Sequence, residues 1–263
     1  NLNLSNNLKL NLIKESSGDK KLNKNLILGQ ARINSKEVKK NDIFFAIRGR
    51  KNDGNKFVEE ALKKKASIVI VNKIKKKLDY KKQIKVIDSL KFLTETSTIF
   101  RENIDAKIIA ITGSCGKTTL KELLGKTLKK ISKTTISPKS YNNKYGVPLS
   151  LFNLSKNDNY GVLEVGMDKK GEIDYLSKII KPDISVITNI NYAHAKNFKN
   201  IKDIALAKSE IISNTKPNGF VILNADDNFF RLHQKIAIKN NINTISFGIK
   251  NHKSCLLYTS PSP

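Results

Sequence analysis

The sequence predicts an α/β chain in two parts: a small N-terminal α/β module, then a larger domain with a mostly parallel sheet flanked by helices. Three observations carry this. From residue 107 onward, short apolar runs alternate with longer amphipathic stretches, the pattern of a parallel sheet covered on both faces. The 263 residues suit one large domain or two ordinary ones, at roughly 100–200 residues each. A hydrophobic fraction of 39% supports a packed core and excludes wholesale disorder.

The elements follow in order. Residues 1–82 are expected as the first domain. Asp42-Ile-Phe-Phe-Ala-Ile-Arg48 is an apolar strand run closed by Gly49. Lys56 to Lys65 has helical spacing through Phe57, Ala61 and Leu62, and Ser67-Ile-Val-Ile-Val71 reads as a buried strand. Residues 83–254 are expected as the second domain. It opens with a strand at Ile84-Lys-Val-Ile87 and a helical connector through Phe92, Thr96 and Phe100. Strands are then expected at 107–111, 161–165, 183–188, 219–223 and 243–247. Helices are expected at 117–131, 171–180, 200–213 and 227–238. The helix after Lys117 has its expected core stripe at Leu120, Leu123, Leu124, Leu128 and Ile131.

Both ends read as cut. The only methionine is Met167, so a natural start is expected upstream of Asn1. Residues 255–263, Cys-Leu-Leu-Tyr-Thr-Ser-Pro-Ser-Pro, contain no Lys, Asn or Ile, unlike everything before them. They resemble the translation of a transposon-end sequencing adapter and are set aside as a non-native tail. Of the two cysteines, Cys115 and Cys255, only Cys115 then remains. No disulfide framework or four-cysteine zinc site is possible. No apolar run reaches membrane-spanning length, and the N-terminus lacks an apolar signal core.

The formal net charge is +26. A nucleic-acid or anionic-lipid partner would explain it. So would the codon bias of an AT-rich genome. The chain has 44 Lys against 5 Arg, with 30 Asn. Phosphate-reading surfaces favour Arg forks as well as Lys point charges, and these lysines are scattered along the whole chain. The balance favours codon bias, with no nucleic-acid or membrane partner.

The strongest chemical signal is Ile108-Ile-Ala-Ile-Thr-Gly-Ser-Cys-Gly-Lys-Thr-Thr119. An apolar strand runs into Gly113-x-x-Gly116-Lys117-Thr118, and an amphipathic helix follows. Phosphates need inward-pointing backbone N–H groups, and glycine permits that approach. Lys117 supplies a point charge for the outer phosphates, and the Thr118 hydroxyl can ligate Mg²⁺. Ile111 stands where the general phosphate loop has its first glycine. The bland alternative is a glycine turn at a helix start. A metal-holding acid is also required. Glu164, ending Tyr160-Gly-Val-Leu-Glu164, sits where open α/β sheets place ligands, and the spacing favours a metal role over a solvated strand-end carboxylate. His194 follows a further strand toward the same crevice, although a lone His is more often an ordinary surface or core residue.

Together these segments resemble the Mur ligases, the ATP-dependent peptide ligases of bacterial cell-wall synthesis. Thr112-Gly-Ser-Cys-Gly-Lys-Thr-Thr-Leu-Lys-Glu122 is similar to their shortened phosphate loop. Asn142-Asn-Lys-Tyr-Gly-Val-Pro148, Leu163-Glu-Val-Gly-Met167 with Gly171-Glu-Ile173, Thr188-Asn-Ile-Asn-Tyr-Ala-His194 and Ala207-Lys-Ser-Glu-Ile211 complete the series. Asn34-Ser-Lys36 with Asp53-Gly54 resembles the uridine-nucleotide-binding first domain. Asn34 and Lys36 stand where Asp and Arg are frequent, and Ala195 where Leu is frequent. The resemblance covers about residues 30–230, in order.

The resemblance implies ATP and two Mg²⁺ ions as cofactors. Gly113, Ser114, Cys115, Gly116, Lys117, Thr118 and Thr119 would cradle ATP phosphates, with Asn224 toward adenine. Thr118 would bind one Mg²⁺, and Glu164 with His194 the second. Lys208 would be carbamylated and join the metal set, since a carbamate offers an anionic oxygen where an ammonium would repel the ion. Lys117, His194 and Lys208 are the implied catalytic set. Asn142 and Asn143 would face the muramoyl substrate and Ser35 the uridine diphosphate.

The Ala-His…Phe pattern at 193–198 and Lys-Ser-Glu-Ile at 208–211 point to UDP-N-acetylmuramoyl-tripeptide and D-alanyl-D-alanine as substrates, joined through an acyl phosphate. The family member one step earlier, which adds the third amino acid, is the alternative, and it typically has Asp before the His. Family members carry a further C-terminal domain that binds the incoming amine. Its absence here implies an inactive fragment, and the resemblance implies a monomer in the bacterial cytoplasm. Two other classes stay open: a nucleic-acid-dependent ATPase and a non-catalytic uridine-nucleotide binder.

Overall fold

Two all-parallel sheets organise the chain, one in each of two units. The computed structural model describes residues 2–19, 22–23, 25–49, 52–192 and 197–249. The first unit comprises residues 1–104 with 151–157, and the second residues 105–150 with 158 onward. The segment 255–263, expected as a non-native tail, lies outside the described residues.

In the first unit, strands β1 (Ala31–Arg32), β2 (Ile43–Phe45), β3 (Ile68–Val71) and β4 (Gln83–Lys85) form a sheet in sequence order. β3 is Ile-Val-Ile-Val and wholly buried, as suits β-branched residues covered on both faces. Helix α2 (Val58–Lys63) buries Val58 and Ala61 against Phe44, Val69 and Val71. Helices α1 (Leu2–Ser17) and α3 (Ser89–Glu102) pack on one another. The Asp88 side chain caps α3, accepting from the amides of Leu90 and Lys91. Residues 151–157 complete this unit. Phe152 meets the Phe45 ring edge-on at 6.1 Å and the Phe100 ring at 5.8 Å, and Lys9 Nζ lies 5.1 and 5.5 Å from the Phe100 and Phe152 ring centres. The Asn153 side chain pairs with the Ala31 backbone in both directions, at 2.6 and 3.0 Å.

The domain boundary expected at 82/83 therefore falls at 104/105. β4 pairs with β3, and α3 buries Phe92, Leu93 and Phe100 within the first unit. The strand and connector that the sequence reading gave to the second domain belong to the first.

The second unit runs β5 (Lys107–Thr112), α4 (Lys117–Lys129), β6 (Thr134–Ile136), α5 (Gly146–Phe152, whose last two residues belong to the first unit), β7 (Tyr160–Glu164), α6 (Glu172–Ile180), β8 (Ile184–Ile187), α7 (Ile201–Ser213), β9 (Phe220–Asn224), α8 (Phe230–Lys239) and β10 (Asn243–Phe247). The strand order is β10-β9-β8-β5-β7-β6, all parallel. β5 sits in the middle with β7 on one side and β8 on the other. The chain thus leaves β5 in both directions, and the crevice at its carboxyl end is the place where such sheets bind ligands.

Ile109 and Ile111 of β5 join Val162 and Val186 beneath α4. By alternation, Ile108 and Ala110 face the side where α6 and α7 pack. The expected strands and helices of this unit all form, with ends shifted by at most a few residues. β6 and α5 were not anticipated. One is three residues long, and the other carries Pro148.

The α4 stripe needs correction. Leu120, Leu124 and Leu128 pack on the core, but Leu123 and Ile131 are 62% and 77% exposed. The buried face instead includes Lys121 and Gly125. Gly125 lies so close to Ile136 that a methyl there would come within 2.4 Å of its side chain. A small residue and a lysine thus occupy turns that an apolar count assigns to leucine.

Candidate active site

The phosphate loop bridges β5 and α4. Gly116 has φ +81° and caps α4 without a side chain. Gly113 has φ +147°, and a methyl there would stand 1.9 Å from Thr188 Oγ1. Both positions require glycine. The segment after β8 braces the loop. Ser114 N–H donates to Asn189 O at 2.9 Å, and Cys115 N–H donates to Asn189 Oδ1 at 3.0 Å. Thr188 Oγ1 donates to Cys115 O at 2.6 Å, while Ser114 Oγ and Asn191 bond to each other in both directions. Asp227, at the start of α8, accepts from Ile190 N–H at 2.7 Å and so holds the brace itself.

Two lysines converge on one carbonyl. Lys117 Nζ donates to Gly113 O at 2.8 Å, and Lys208 Nζ, from α7, donates to the same oxygen at 3.0 Å. Lys208 is buried, and burial first, then repulsion from Lys117, pushes its pKa down to about 7. Glu164 ends β7 with 2% exposure. Its Oε2 accepts from Thr118 Oγ1 and its Oε1 from Asn142 Nδ2, each at 2.8 Å. The resemblance had assigned Thr118 and Glu164 to separate ions, but here they are in direct contact. A hydroxyl and a carboxylate at the end of a phosphate loop are the hard oxygen donors that Mg²⁺ prefers, so these residues fit the ion. Among the described residues, no group of three or more His, Cys, Asp and Glu gathers here or elsewhere.

A cavity of about 640 Å³ opens beside this cluster, lined by Lys117, Asn142, Lys144, Met167, Tyr175 and Lys208 among others. Its wall at the start of α6 is held by Glu210, which accepts from Gly171 N–H at 3.0 Å and Asp174 N–H at 2.9 Å.

The remaining expected residues distribute unevenly. Thr119 and Cys115 are exposed at the start of α4. Asn143 uses its side-chain oxygen to cap α5, accepting from Tyr145 and Gly146 N–H. Asn224 ends β9, donates weakly to Thr188 O at 3.4 Å and accepts from Asp226 N–H at 2.9 Å. His194 lies outside the described residues. Ser35, in the first unit, is buried and donates to Glu60 Oε2 at 2.7 Å, so its hydroxyl is not presented to a ligand. The first unit's own basic cavity, about 530 Å³, is lined by Arg48, Asp53, Asn55, Lys73, Lys75 and Lys77 among others. Sequence reading missed this basic wall because one lysine run among 44 lysines carries no signal. It also missed the bracing roles of Asn189, Asn191, Glu210 and Asp227, although the first three lie within segments already singled out.

Residues 111–260 match the Mur ligase middle domain, and residues 30–101 match the Mur ligase family catalytic domain. The chain belongs to the Mur ligase family. It is 40% identical over 229 residues to the UDP-N-acetylmuramoyl-tripeptide--D-alanyl-D-alanine ligase of Buchnera aphidicola from Acyrthosiphon pisum, covering 87% of this chain and 49% of that one. It is 37% identical to the enzyme of the same name from Rickettsia prowazekii, covering 87% and 51%. A crystal structure of MurF from Acinetobacter baumannii superposes with TM-score 0.77 at 32% identity, covering 91% of this chain and 53% of that one. MurF ligase of Thermotoga maritima in complex with ADP gives 0.71 at 32% identity, covering 86% and 52%. The chain thus spans about half the length of the curated relatives it matches. The middle-domain match runs into the segment 255–263 that composition had set apart. Among the described residues, no helix is long and apolar enough to cross a membrane.

Proposed function

We propose that this chain is the substrate- and nucleotide-binding part of an ATP-dependent amide ligase. It would add D-alanyl-D-alanine to UDP-N-acetylmuramoyl-tripeptide in the bacterial cytoplasm, as a monomer. The observation that carries the reading is the Thr118–Glu164–Asn142 cluster at the mouth of a braced phosphate loop, in a chain whose relatives bear that enzyme's name. The first unit would hold the uridine nucleotide and the second ATP.

The loop amides and Lys117 would receive the ATP phosphates, for which Lys117 must release the Gly113 carbonyl. The peptide's terminal carboxylate attacks the γ-phosphorus and ADP leaves, giving an acyl phosphate. The dipeptide amine then attacks the acyl carbon, and phosphate departs. Mg²⁺ bound at Thr118 and Glu164 would supply positive charge where phosphate and carboxylate meet. Lys208 held near pKa 7 has a large neutral fraction at neutral pH, the form that adds carbon dioxide to give a carbamate and a proton. His194 with Glu164 would serve a second ion.

Titration calorimetry tests this. The chain should bind Mg·ATP, and Lys117→Ala should weaken binding at least about a hundredfold while the fold is retained. UDP-N-acetylmuramoyl-tripeptide should bind more tightly than the dipeptide form. Preference for the dipeptide form would instead assign the ligase that adds the third residue.

A further inference from the structure

Lys121 is a fully buried lysine that phosphate binding does not use. It lies one turn along α4 from Thr118, with no exposed surface. A buried ammonium persists only where its donors are answered. Its Nζ donates to Ser137 O at 2.7 Å and to Lys139 O, and it lies 3.3 Å from Glu122 Oε1. Lys139 itself takes φ +47°, a left-handed conformation that costs a residue with a side chain.

The segment held this way is also stitched to β7. Ser137 N–H donates to Val162 O at 2.9 Å, Glu164 N–H to Ser137 Oγ at 3.4 Å, and Gly166 N–H to Asn142 O at 2.8 Å. Asn142 then reaches Glu164 Oε1, and Thr118 reaches Oε2. The contacts close a ring: α4 to Thr118, to Glu164, to Asn142, back along 142–137, and through Lys121 to α4. Lys121 and Thr118 each tie this ring to α4 through a side chain, one at either end of segment 137–142.

We propose that Lys121 is a positioning residue. It fixes segment 137–142 so that Asn142 orients the Glu164 carboxylate at the phosphate loop. The consequence for Mg·nucleotide rests on the function proposed above, whereas the consequence for the segment does not.

The test uses the full chain and the variants Lys121→Met and Lys121→Gln. Without nucleotide, Lys121→Met should speed hydrogen exchange about tenfold at Gly166 and Tyr141 N–H, with the α4 amides unchanged. The Asn142 side-chain NH₂ signals, assigned by their loss in Asn142→Ala, should move toward free-amide positions. Affinity for Mg·ADP should fall about tenfold, while affinity for ADP in EDTA is kept. Lys121→Gln keeps one donor group and should lie between, and it decides the matter if the Met variant does not fold.

Unchanged exchange at Gly166 in a folded variant overturns the proposal. So does an equal fall in affinity with and without Mg²⁺, which is what general loop damage produces. If the unsubstituted chain binds no ADP, the nucleotide reading fails, while the exchange and NH₂ measurements still decide the role of Lys121.

Discussion

Replacing Gly113 by alanine should loosen the phosphate loop in a way that a second substitution partly repairs. At φ +147°, the backbone occupies a region open essentially to glycine, and a side chain there costs about 1–3 kcal/mol. The new methyl would also stand 1.9 Å from Thr188 Oγ1. The hydroxyl must rotate away, giving up its 2.6 Å bond to Cys115 O. That bond contributes about 0.5–1.5 kcal/mol. The two effects sum to about 1.5–4.5 kcal/mol, measurable by urea unfolding of the nucleotide-free chain. Thr188→Ala removes the obstructing oxygen and leaves Thr188 Cβ at 3.1 Å. The double variant Gly113→Ala/Thr188→Ala should therefore be more stable than the sum of the singles by about 1 kcal/mol. Strict additivity would show that the loop does not lean on Thr188 and would refute the bracing argument.

Further outcomes follow from the same geometry. The Lys208 pKa, about 7 in the fold against 10.5 unfolded, means that the unfolded chain binds more protons between those values. Stability should therefore rise with pH across that window in carbon-dioxide-free buffer, and Lys208→Met should flatten the slope. His233 is buried beside Ala205 O, and burial holds its pKa below the usual 6.5. Here too the unfolded chain binds the extra proton, so stability is full above pH 6.5 and falls on acidification; a denaturation midpoint unchanged between pH 7 and pH 5 in a Lys208→Met background would contradict this. Cys115 is exposed within the loop, so its alkylation should slow about tenfold under saturating Mg·ATP, and equal rates would place the nucleotide elsewhere. Duplex DNA should bind weakly, release at moderate salt and leave ATP turnover unstimulated, since the lysines form no Arg-rich reading surface.

What was legible in the sequence was whatever a period or a glycine writes down. The β5 run, the Gly113–Gly116 turn and the apolar spacing of α6 and α7 each leave a local signature, and each forms where expected. Strand position pointed to Glu164, the resemblance supplied Asn142 and Lys208, and the structure brings Glu164 and Asn142 together and sets Lys208 on the Gly113 carbonyl. What escaped was tertiary. No period marks Lys121 as buried, because its burial depends on two carbonyls presented by a segment more than a dozen residues away. Ser35 was expected at a ligand because Asn34-Ser-Lys36 resembles a uridine-nucleotide-binding segment, yet Glu60 claims its hydroxyl. The 82/83 boundary failed for the same reason. An order of strand and helix patterns does not reveal that Phe100 packs on Phe152.

That last pairing bears on how the polypeptide matures. Residues 1–104 do not hold all of their own interior, because Phe152 and Asn153 arrive only after β5, α4 and β6 have been made. During synthesis, the earlier segment must wait with an aromatic slot open between Phe45 and Phe100, and with the Ala31 amide unanswered. Neither portion can be excised by a single cut. An N-terminal piece ended at 104 would emerge incomplete, and one extended through 157 would drag along the first strands of its neighbour. A fragment meant to hold the whole first unit must therefore carry residues 105–150 as well.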